Sequence, residues 1–80
     1  LPSLTARQFK LGLVRNGITL TSIEALLSGE SDPVAREDNT IEWTYSSTFE
    51  RDHPLVISLS ASLGLSAEQV DAMWEAALTY

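Results

Sequence analysis

The sequence predicts an all-α fold, a compact orthogonal bundle of about five short helices forming one domain over residues 1–80. Three observations point there. Thr5-Ala-Arg-Gln8, Thr21-Ser-Ile-Glu24 and Ser66-Ala-Glu-Gln69 all have the spacing of a capping box, in which a hydroxyl and a carboxamide or carboxylate satisfy the first free amides of a helix. Asn16-Gly17, Ser28-Gly29 and Gly64 stand where helices would stop, because glycine readily takes the left-handed closing conformation. Between these signals apolar residues recur three and four apart, the period of a helix with one buried face. The chain starts at Leu1, so it can also be a piece of a longer protein.

Leu1 to Leu4 form a lead-in, with Leu4 placed to pack on Phe9 as a hydrophobic staple. The first helix follows Thr5 and carries Ala6, Phe9 and Leu13 inward, with Leu11 and Val14 as further candidates for that stripe, ending at Asn16-Gly17. The second is short, with Ile23, Leu26 and Leu27 inward; Thr21 heads its capping box and Thr19 competes as cap. Gly29 to Asp32 read as a polar loop. Asp52-His-Pro54 is a break, since the residue before proline avoids the helical region. Pro54 then opens a fourth helix with Leu55, Val56, Leu59 and Leu63 inward and Ile57 off that face. The last helix, after Ser66, places Val70, Met73, Trp74, Ala77 and Leu78 on one stripe.

The third element organises the rest. Ile41, Trp43 and Tyr45 alternate with polar residues, as in a strand. Ile41, Tyr45 and Phe49 also fall four apart, with Val34 one heptad before Ile41, as in a helix. Pro33 suits a first helical position and Asp32 its cap, so a helix over Pro33–Phe49 is expected, with Ile41–Tyr45–Phe49 as its inner line. The β-branched Thr40, Ile41, Thr44 and Thr48 keep the strand alternative open for Thr40–Ser46. Trp43 lies off the inner line, so it either packs against a second layer or faces a partner.

Composition narrows the function classes. An 80-residue domain buries only about 60–65% of its unfolded surface, so its stability margin is small and it often leans on partners or on copies of itself. No apolar run approaches the roughly 20 residues needed to span a bilayer, and no membrane association is expected. The absence of cysteine removes disulfides and thiolate metal sites and fits a reducing compartment. The net charge of −6 is uneven. Arg7, Lys10 and Arg15 precede every acid; after them only Arg36 and Arg51 oppose all eleven carboxylates. Nucleic acid is therefore not expected as a partner, because phosphate binding needs a basic footprint. The basic first helix is either a solvated face or a dock for an acidic surface, such as that of a neighbouring copy.

Signals for chemistry are sparse. Glu50-Arg-Asp-His53 is the one run of crowded titratable groups. It could make His53 a general base for hydrolysis, but adjacent residues do not face one another, and a helix end with a new cap explains the run as well. Ser58, Ser60 and Ser62 read as a small-residue packing surface rather than as nucleophiles. One histidine does not make a zinc site, and no phosphate loop or calcium loop is present, so no metal or cofactor is expected. Trp43, Ile57, Arg7, Lys10 and Arg15 are the candidate interface residues, with tryptophan favoured because aromatics dominate binding energy.

Leu4-Thr-Ala-Arg-Gln-Phe-Lys-Leu-Gly-Leu13, Ile41-Glu-Trp-Thr-Tyr45 with Phe49-Glu-Arg-Asp-His-Pro-Leu-Val56, and Leu63-Gly-Leu-Ser-Ala-Glu-Gln-Val-Asp71 together resemble a group of small phage and prophage proteins associated with tail genes, near tail-fibre or baseplate components. The resemblance implies a non-enzymatic role in the virion tail, or in the host cytoplasm during assembly. It implies another tail protein, or a further copy in a homo-oligomer, as partner. It carries no catalytic residues. The alternative expectation is a small acidic regulatory or inhibitory protein that binds a host factor.

Overall fold

A computed structural model describes all residues, Leu1–Tyr80. Five helices and one short strand pair follow in the order β1 (Leu4–Thr5), α1 (Ala6–Arg15), α2 (Leu20–Ser28), α3 (Pro33–Tyr45), β2 (Thr48–Phe49), α4 (Pro54–Leu63) and α5 (Ala67–Ala77). The fold is thus largely helical, as its capping and stop signals imply, but not purely so. β1 and β2 pair antiparallel, Leu4 opposite Phe49 and Thr5 opposite Thr48. The Ala6 amide extends the pair by donating to the Ser47 carbonyl at 2.9 Å.

The caps follow the local chemistry. Thr5 and Ser66 each close a full capping box, with Gln8 and Gln69 returning to the cap amides at 2.9 and 2.8 Å. At α2 the competing cap prevails: the Thr19 hydroxyl accepts from the Ser22 amide at 3.1 Å, so the helix starts at Leu20 and Thr21 lies inside it. Asp32 occupies the cap position of α3 without a side-chain cap bond, leaving Pro33 to set the start. Gly64, at φ 71°, lets α4 close, and the Leu65 amide reaches back to the Ser60 carbonyl at 2.9 Å.

The third element departs from expectation in two ways. The helix stops at Tyr45 rather than running to Phe49, and Ser46 takes extended backbone at φ −67° and ψ 131°. Ser46, Ser47 and Thr48 are weak helix formers whose hydroxyls compete for backbone groups. Leaving the helix also lets the chain meet β1 and satisfy its amides. Second, the inner face of α3 is the opposite one. Trp43 is buried at 6% exposure, while Val34, Ile41 and Tyr45 are 69%, 53% and 79% exposed. An indole buries more apolar area than an isoleucine, and it has an aromatic partner waiting. The Trp43 ring meets Phe9 edge-on, centroids 6.2 Å apart.

Phe49, with no exposed surface, enters the core from β2 instead of from a helix. Its ring lies 4.8 Å from that of Phe9, and Phe9 in turn lies 5.9 Å from Trp74. Leu4 is buried beside them, so the lead-in is part of the core rather than a loose end. The Trp74 indole N–H donates to the Pro2 carbonyl at 2.7 Å, tying α5 to the N-terminus. At the α1–α5 contact Gly12 is buried, and a Cβ there would sit 3.3 Å from the Ala77 Cβ.

Candidate interaction surface

On α3 the positions opposite Trp43 are Val34, Ile41 and Tyr45, with Glu37, Asp38 and Glu42 flanking them, by the 100° advance per residue of a helix. The result is an exposed apolar stripe with an acidic rim. On α1 the positions opposite Phe9 and Leu13 are Arg7, the half-buried Leu11 and Val14, with Lys10 and Arg15 at the edges. Val14 is 49% exposed, so α1 carries a smaller apolar patch with a basic rim.

Two of the three cations are positioned within the molecule. The Lys10 Nζ lies 4.7 Å from the Trp43 ring centroid, and the Arg15 guanidinium lies 4.3 Å from that of Tyr80. Cation–aromatic contacts of this kind fix a side chain without neutralising it. The Arg7 side chain is exposed and makes no hydrogen bond or ion pair. Of the interface candidates from sequence, Trp43 is withdrawn: it packs inward as part of the second layer and has little surface to offer. Ile57 is exposed on α4. The α3 stripe is visible in the sequence, but its spacing alone puts it on the wrong side of the helix. Its acidic neighbours carry the missing signal, since Glu37, Asp38 and Glu42 would have to be buried with it.

The histidine cluster forms at the junction of α3 and α4, but with different members from those the sequence suggests. His53 is the cap of α4, where its Nδ1 accepts from the Leu55 amide at 3.0 Å. That bond leaves the ring proton on Nε2, which donates to Glu42 Oε2 at 3.1 Å. The Ser46 hydroxyl donates to the same oxygen at 2.8 Å. The Ser46 bond, then the His53 bond, hold the Glu42 carboxyl below its ordinary pKa. Neither histidine nitrogen faces the Ser46 hydroxyl, so the trio joins two helices and does not align a base with a nucleophile. Arg51 turns the other way and pairs with Asp71 on α5, Nε to Oδ1 at 2.7 Å.

The remaining features are structural or shallow. Ser60 donates to the Val56 carbonyl at 2.7 Å, and Ser58 and Ser62 are exposed, so the three serines share no packing surface. A cavity of about 30 Å³ between α1, α4 and α5 is walled by Phe9, Leu13, Val56, Leu59, Met73 and Trp74. That is room for little more than a water, far below the roughly 300 Å³ of an organic-ligand site. No three His, Asp or Glu side chains converge as a metal site. No helix is long and apolar enough to cross a membrane.

Comparisons with protein-family models, with curated proteins and with solved structures return no match.

Proposed function

We propose that this chain is a non-enzymatic helical interaction module of a phage or prophage tail, acting in tail-fibre or baseplate structure or assembly. The observation that carries the interaction reading is the exposed Val34–Ile41–Tyr45 stripe with its acidic rim. Three large apolar side chains on one helix face lose hydration favourably only when something covers them. The tail assignment rests on the resemblance of the Leu4–Leu13, Ile41–Val56 and Leu63–Asp71 runs to small tail-associated proteins. In this reading the protein works in the virion tail, or in the host cytoplasm while tails are built.

The experiment is to tag the chain in a host that produces the corresponding particles and purify intact tails and tail intermediates. Stoichiometric recovery of the tagged chain with fibre or baseplate proteins supports the proposal. Its absence from tails and from every intermediate overturns it. The acidic rim of Glu37, Asp38 and Glu42 also favours a second reading, a small inhibitor that presents carboxylates to a basic site on a host factor. That reading predicts a soluble host complex in cells that make no tails.

A further inference from the structure

We propose that the acidic α3 stripe of one copy receives the basic α1 face of the next, so that the chain assembles head to tail with itself. This rests on the interaction reading above and names the partner. Three observations carry it. The two faces match in kind, each mixing apolar and charged side chains: Ile41 and Tyr45 with Glu37, Asp38 and Glu42, against the half-buried Leu11 and the exposed Val14 with Arg7, Lys10 and Arg15. They are opposite in sign, so either face set against its own copy brings like charges together, while α1 against α3 brings opposite charges together. They also look away from each other. Phe9 of α1 and Trp43 of α3 meet ring to ring inside the core, so the sides opposite these rings point outward in different directions.

The last point decides the symmetry. A twofold pair needs the same patch on both partners, and two faces that point in different directions do not both close in one such pair. The contact is therefore heterologous: it builds chains, or rings where the rotation closes. The contact is also modest. α1 and α3 are ten and thirteen residues long, about 15 and 20 Å at 1.5 Å per residue. One such crossing falls short of the roughly 800 Å² per partner of a standard interface, so assembly is weak and concentration-dependent.

The test uses purified protein and two double variants at exposed positions. Arg7→Glu with Val14→Gln spoils the α1 face, and Ile41→Gln with Tyr45→Gln spoils the α3 face. Circular dichroism confirms that each folds. Sedimentation of the wild type should show mass rising past twice 8.8 kDa as concentration climbs from about 10 μM to 1 mM. The rise should be at least several-fold weaker in about 1 M salt, where the screening length is only about 3 Å. Each variant alone should stay monomeric. Mixed together they should form one-to-one pairs and nothing larger, because each retains the face the other lacks. A monomeric wild type, assembly that ignores salt, or folded variants that do not pair on mixing would each overturn head-to-tail assembly. A monomeric wild type still found in purified tails would leave the tail reading standing, with a different protein on the α3 stripe.

Discussion

Phe49→Ala and Tyr45→Ala form a matched pair that tests how the chain leaves α3. The two positions are four apart, so an uninterrupted helix would set both rings on one face, equally buried or equally exposed. Here Tyr45 is the last helical residue and mostly exposed, whereas Phe49 sits in β2 with no exposed surface, 4.8 Å from Phe9. Emptying a buried phenylalanine site costs about 3–5 kcal/mol, through lost transfer energy and the cavity left behind. A domain of this length has a total stability of about 4–12 kcal/mol, so Phe49→Ala removes a large share of it. At about 4–8 °C per kcal/mol, the melting temperature falls by roughly 12–40 °C. Tyr45→Ala should stay within about 0.5 kcal/mol of the parent, as exposed substitutions do. Urea unfolding followed by circular dichroism measures both, with an unchanged slope showing that the midpoint shift is stability alone. Comparable costs at the two positions would refute the β2 exit and restore a helix through Phe49.

Other contacts make equally specific demands. Gly12→Val drives a branched side chain toward α5, where even a single Cβ would already stand 3.3 Å from that of Ala77, and should cost about 1–3 kcal/mol in a thermal melt by overpacking the α1–α5 contact. Thr19→Ala should cost about 1 kcal/mol because Thr19 is the working cap of α2, while Thr21→Ala should cost well under half of that by the same melt. The Glu42 carboxyl titrates below its ordinary value in the folded state, so its contribution is present above the ordinary carboxylate range and is lost as pH falls through the depressed folded value. Glu42→Gln should therefore show a shallower loss of stability than the parent as pH falls below about 4.3, the ordinary value of a glutamate.

Much of the helix plan could be read from local chemistry. The Thr5 and Ser66 capping boxes, the Asn16-Gly17 and Gly64 stops and the Pro54 start all act within four or five residues, which is the range over which a sequence speaks for itself. Two features depend on contacts far along the chain and could not be read that way. Pairing of Leu4 with Phe49 joins residues 45 apart, and nothing in either dipeptide announces the other. The orientation of α3 is decided by a competition between Trp43 and the Ile41–Tyr45 line for the same core, and the presence of Phe9 tips it toward the indole. The same competition explains the surface. Once Trp43 wins, Ile41 and Tyr45 must face out, and the stripe expected to close the core becomes the proposed docking face. His53 is a parallel case: its neighbours Asp52 and Glu50 suggest a cluster, yet its partner is Glu42, eleven residues back, brought in by the turn through β2.

The direction in which α3 faces carries both the core and the proposed assembly, and water itself can report it. Nuclear magnetic resonance with an inert, soluble paramagnetic probe, at protein concentrations low enough to keep copies apart, measures how closely each side chain approaches solvent. The Ile41 methyls, the Val34 methyls and the Tyr45 ring should relax rapidly, and the Trp43 indole and Phe49 ring should be protected. A broadened Trp43 signal beside protected Ile41 and Tyr45 signals would contradict the account at its root.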